Sequence, residues 1–95
     1  MYAVVRRYAN GAALADALVA DRQEVEELLR GVPGFQHYYA VRSGDVVATI
    51  TVCDDEAGTT ESSRVARDWV QRNMPRGAVG TPEITEGETF LDFGR

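Results

Sequence analysis

Three segments of this chain are rich in β-branched and aromatic residues, and none of them alternates cleanly between apolar and polar. In Tyr2–Tyr8 one parity carries Tyr2, Val4, Arg6 and Tyr8, and the other Ala3, Val5 and Arg7. In Phe35–Arg42, Phe35, His37, Tyr39 and Val41 oppose Gln36, Tyr38, Ala40 and Arg42. In Val46–Cys53, Val46, Ala48, Ile50 and Val52 oppose Val47, Thr49, Thr51 and Cys53. A sheet with one wet face alternates. Strands like these need cover on both sides, and that requirement limits the architectures open to the chain.

The intervening segments supply cover for one face. Asn10-Gly11 breaks the first strand, and Asn10 is a candidate N-cap. The spacing of Leu14, Ala17, Leu18, Val25, Leu28 and Leu29 predicts a helix over 12–30, with Asp21 interrupting its apolar stripe. Gly31-Val32-Pro33-Gly34 ends it. Ser43-Gly44-Asp45 has the length of a hairpin turn, and the acids Asp54-Asp55-Glu56 suit a helix N-terminus. A second helix is expected over 60–73, with Val65, Ala66, Trp69 and Val70 on its apolar face. A last strand over 83–93 follows, bent or bulged near Gly87. The order is β-α-β-β-α-β, a ferredoxin-like α+β domain spanning 1–95, with two helices on one face of a four-stranded antiparallel sheet. The other face needs a partner surface, and a second copy meeting it across a two-fold axis is the simplest one.

Composition removes many functions. A chain of 95 residues with net charge −5 has one modest core and no clustered basic surface, which argues against nucleic acid. No apolar run has the length of a membrane span and no signal-peptide layout opens the chain, so a cytoplasmic location is expected. Cys53 and His37 are each the only residue of their type, which excludes internal disulfides, multi-cysteine metal sites and HExxH chemistry. All ten basic residues are arginine, so no Schiff-base, pyridoxal phosphate or P-loop lysine exists. No metal and no cofactor is expected. The bias towards Ala, Gly, Val and Arg fits a GC-rich, bacterial genome.

Val32-Pro33-Gly34-Phe35 enters the second strand, and Thr49-Ile50-Thr51-Val52 leads through an acidic turn into a Ser62-containing helix. In this layout, over essentially its whole length, the chain resembles the antibiotic biosynthesis monooxygenase-like group of dimeric α+β barrel proteins. The resemblance implies a homodimer with two sheets packed face to face, and a small pocket in each subunit between sheet and helices. That group mixes cofactor-free oxygenases, haem-degrading enzymes and members without assigned activity, so it speaks for fold more than for function. Its haem-degrading branch uses an Asn on the first strand with a Trp and a His in the second half. Trp69 matches the Trp, but the first strand has no Asn and no His follows Trp69. The quinone-forming branch uses polar and aromatic pocket residues, which Tyr8, His37, Tyr39 and Trp69 imitate loosely. An RNA-recognition motif needs aromatics on its third strand, and Val46–Cys53 has none. Metal chaperones of this topology need paired cysteines where Asn10-Gly11-Ala12 stands.

The pocket candidates are therefore Arg6, Tyr8, His37, Tyr39 and Trp69, each with a plainer structural alternative. His37 titrates near neutrality and suits a general base, or equally a barrel or interface histidine. Tyr38 and Tyr39 suit either a pocket or packing on opposite faces. Trp69 fits core packing, Cys53 an inert small hydrophobe, and the acids 54–56 helix capping. Arg6 and Arg7 must point to opposite faces, so one is buried. It then needs a carboxylate such as Glu86, Glu88 or Asp92, or it faces a pocket and holds an anion. The function expected is that of a dimeric barrel protein binding a small molecule, without assigned catalysis. The alternative is a cofactor-free monooxygenase acting on an aromatic or polyketide-like substrate. A pocket of a few hundred Å³ lined by both His37 and Trp69 would favour the alternative.

Overall fold

The computed structural model describes residues 1–95. The chain runs β1 (Tyr2–Tyr8), α1 (Ala12–Ala20), α2 (Arg22–Arg30), β2 (Phe35–Ser43), β3 (Val46–Cys53), α3 (Glu56–Asn73) and β4 (Glu83–Glu88). The four strands form one antiparallel sheet in the order β2-β3-β1-β4, with β3 and β1 central. This is the ferredoxin-like α+β fold. β2 and β3 are joined through Gly44-Asp45, where Gly44 takes φ +58, the conformation a tight hairpin turn demands of its first residue.

The first helical segment is two helices. Asp21 leaves the helix at φ −107, ψ 28, ending α1 and starting α2. An unbroken helix would carry its carboxylate within the apolar stripe. The break keeps Asp21 exposed while Leu14 and Leu29, on either side of it, are buried. Asn10 is not the cap: Gly11 holds that position with no side-chain bond, and its N–H donates to the Asp45 carbonyl at 2.6 Å.

α3 starts at Glu56, earlier than the spacing predicts. Asp55 caps it, its carboxylate accepting from the Gly58 N–H at 3.2 Å. Gly58 is inside the first turn because the helix closes tightly there: a Cβ on it would lie 2.6 Å from the Pro33 carbonyl oxygen and 2.7 Å from Cys53 Cβ. β4 ends at Glu88 and does not continue to Phe93; Phe90, Leu91 and Phe93 beyond it are exposed. The sheet's register shift lies not near Gly87 but in β2, between Phe35 and His37.

The helices cover one face of the sheet. Val4, Arg6 and Tyr8 of β1, and Val47, Thr49, Thr51 and Cys53 of β3, are buried beneath them. Tyr8, Leu14 and Trp69 form the centre of the core, with Ala17, Leu18, Val25, Leu28, Val70 and Val79 packed against it. The opposite face presents Val5, Ile50, Val52, His37, Tyr39 and Val41, and no element of the chain lies over it.

Candidate functional site

Arg6 lies on central strand β1 with the parity of Val4 and Tyr8, so its side chain runs under the helices and is only 2% exposed. Nη1 donates to Thr51 Oγ1 at 3.2 Å, and Nη2 donates to Ser62 Oγ and Ser63 Oγ, both at 2.9 Å. Nε is buried without an acceptor among the protein's groups. The carboxylate partner expected on the last strand is absent. Register puts Glu86 opposite Val4 and Glu88 opposite Tyr2, and Glu86 Oε1 instead accepts from Thr59 Oγ1 at 2.9 Å. Every ion pair in the chain lies on the surface. Arg6 is thus a buried cation held by neutral hydroxyls. Burial lowers its pKa, opposed by the nearby Tyr8, Tyr38 and Glu86.

Beside the guanidinium is a cavity of about 40 Å³ whose polar lining is Arg6, Tyr8, Tyr38, Thr49 and Trp69, the rest being aliphatic. Trp69 is 3% exposed, and its Nε1–H has no acceptor. Burial raises the pKa of Tyr8, and pushes that of Tyr38 up to about 12. Both phenols are therefore protonated near neutral pH, and the lining holds no carboxylate or imidazole to accept a proton. A wider groove of about 640 Å³ runs between the helices α1 and α2 and strand β2, and Leu18, Val25, Leu29 and Tyr38 line both spaces.

Of the residues singled out in the sequence, Arg6, Tyr8 and Trp69 meet at this cavity. His37 and Tyr39 do not. Opposite Val52 and Ile50, they stand on the uncovered face, rings 6.1 Å apart and 21° from parallel; His37 touches only the outer groove. The shift after Phe35 causes this: Phe35 pairs with Cys53 and His37 with Val52, so counting by two from Phe35 lands on the wrong face. Tyr38, weighed with Tyr39 for a pocket, does line the cavity, whereas three polar neighbours of Arg6 went unforeseen as site residues: Thr51, Ser62 and Ser63. One signal was present, since Thr59 and Ser62 extend the stripe of Ala66 and Trp69 towards the helix start. A hydroxyl within an apolar stripe points to a buried polar partner. Cys53 is fully buried with its pKa raised by burial, which makes it a poor nucleophile. No group of His, Cys, Asp or Glu side chains is arranged to hold a metal ion.

No family model and no curated protein matches the chain. Solved structures do. A protein of unknown function from Nitrosomonas europaea is similar at TM-score 0.74 and 19% identity, over 99% of this chain and 93% of its own. A monooxygenase from Streptomyces coelicolor, in complex with the ligand nanaomycin D, is similar at TM-score 0.67 and 19% identity, over 99% and 91% of the two chains. A heme-degrader from Mycobacterium tuberculosis, with two hemes bound in its active site, is similar at TM-score 0.68 and 14% identity, over 99% and 100%. At these identities the likeness is one of fold. The chain has the fold of the antibiotic biosynthesis monooxygenase-like proteins. No helix in it is long and apolar enough to cross a membrane.

Proposed function

We propose that this chain is an antibiotic biosynthesis monooxygenase-like protein without assigned catalysis, working as a cytoplasmic homodimer that binds a small, mostly apolar molecule between sheet and helices. One observation carries the reading: Arg6, Tyr8, Tyr38, Thr49 and Trp69, the residues with polar groups, line an otherwise aliphatic cavity. Few convergent polar groups in an apolar hollow are the usual form of a ligand site. As it stands the cavity has room for roughly three waters, so a ring-sized ligand must draw α1 and α2 away from β2, widening it into the adjoining groove.

The alternative, a cofactor-free monooxygenase, draws on the aromatic lining and on the likeness to the Streptomyces coelicolor monooxygenase. The missing base weighs against it, since such a substrate would have to arrive already ionised. His37 and Trp69, whose meeting in one enclosed pocket would have favoured oxygenation, stand on opposite faces of the sheet.

The test is a titration of isotope-labelled protein with benzoic-acid and naphthalene derivatives, followed by NMR. Shifts centred on residues 6, 8, 38 and 69 are expected, with no uptake of oxygen at an electrode. A panel that perturbs only surface residues defeats the binding reading; oxygen uptake that depends on the cavity promotes the alternative.

A further inference from the structure

Two residues that line the cavity, from different elements, each carry a buried donor with nothing to donate to: Nε–H of Arg6 on β1 and Nε1–H of Trp69 on α3. The residues are 2% and 3% exposed. Buried N–H groups of this kind are nearly always paired. The guanidinium offers five N–H donors, and its three bonds to hydroxyls leave Nε–H and one Nη1–H free. The only acceptors among the lining side chains are the hydroxyls of Tyr8, Tyr38 and Thr49, and none meets Arg6 Nε or Trp69 Nε1.

Charge narrows the ligand further than hydrogen bonding does. A purely structural arginine in a core is matched by a carboxylate, because an uncompensated buried charge is costly. Here the three partners are neutral, and the nearby Glu86 is bonded to Thr59. We infer that the cavity receives the anionic group of its ligand, a carboxylate or an ionised phenol or enol on an otherwise apolar molecule, with Arg6 as the counter-charge and Trp69 as a second donor. This rests on the cavity being a ligand site. About 40 Å³ suits an anionic head group, and the shared walls Leu18, Val25, Leu29 and Tyr38 place an apolar body towards the groove.

Calorimetric titration of the whole protein at pH 7 with benzoate and 1-naphthoate, against benzamide and 1-naphthamide, tests the inference. The carboxylates are expected to bind at least roughly tenfold more tightly than their amides, as a charge-assisted bond to arginine provides. In Arg6→Met that preference is lost while the amides still bind. Trp69→Phe, which keeps the ring and removes the donor, weakens the carboxylates several-fold. Equal binding of acid and amide to the unaltered protein overturns the anion site and leaves the small-molecule reading standing. If neither series binds, both fall. The unaltered protein alone decides between these outcomes, so failure of Arg6→Met to fold does not remove the test.

Discussion

Arg6 Nη2 donates to Ser62 Oγ at 2.9 Å, joining the central strand to α3 across 56 positions of sequence. Ser62 is itself fully buried and donates to the Thr59 carbonyl at 2.8 Å. Removing the hydroxyl leaves a guanidinium N–H buried and unmatched, which costs about 1–3 kcal/mol. Ser62→Ala is expected to lower unfolding stability by that amount in urea denaturation. Ser63→Ala should cost less, because Ser63 is only half-buried and water can replace its hydroxyl. Equal losses would mean that the two serines support Arg6 alike.

Gly58→Ala sets helix propensity against packing. Alanine gains about 1 kcal/mol over glycine inside a helix. The new methyl, however, would be 2.6 Å from a backbone oxygen, that of Pro33, and 2.7 Å from Cys53 Cβ. Backbone cannot swing aside as a flexible side chain does. Overpacking of this kind typically costs about 1–3 kcal/mol. A net fall in the thermal midpoint is expected, and a rise would show slack between α3 and the end of β3.

The same two places mark how far the sequence could be read. β1 and β3 lie where their composition predicts them, because runs of valine, tyrosine and threonine bounded by Gly-containing turns leave little choice. The uncovered face was visible too, as strands apolar on both parities. The start of α3 was not legible, because a glycine such as Gly58 is both a helix breaker and the residue that fits a close crossing, and only the crossing tells the two apart. That one of Arg6 and Arg7 is buried was legible, but which one, and its partner, were not. Strand order suggested an acid from β4, whereas the hydroxyls come mainly from α3, whose rotation over the sheet is set by tertiary packing. For His37 and Tyr39 the sequence leaves pocket and interface both open, because a one-residue shift in β2 leaves no mark in a strand whose two parities look alike.

Tyr38 gives the fold a pH limit at the alkaline end. Its pKa is about 12 in the folded protein, raised by burial from the ordinary value of 10.0. The folded state therefore holds its proton where the unfolded chain has released it. That contribution is fully present below pH 10 and is lost as pH rises from 10 to 12, on the order of 2 kcal/mol in all. Tyr8, also raised by burial, acts in the same direction. Tyr38→Phe should flatten the fall in urea midpoint between pH 10 and 12. An unchanged slope would place the loss elsewhere.

The uncovered face should decide the oligomeric state. Ile50 projects from central β3 away from the helices, beside Val5 of β1 and Tyr39 of β2. Tyr39 and Val41 are 56% and 54% exposed in the single chain, large values for apolar groups on a sheet. An apolar face of this kind is a site of association, and two copies meeting there would bury Ile50 in each. Ile50→Arg then places two like charges in a dry interface, a penalty of at least about 3 kcal/mol, or over a hundredfold in Kd. Light scattering after size exclusion should give twice 10.4 kDa for the unaltered protein and a single 10.4 kDa chain for the variant. Glu24→Arg, on the exposed side of α2, should leave the dimer intact. The far-UV spectrum of Ile50→Arg should match that of the parent, because the substituted side chain points away from the core. A monomer before any substitution would mean that something other than a second copy covers this face.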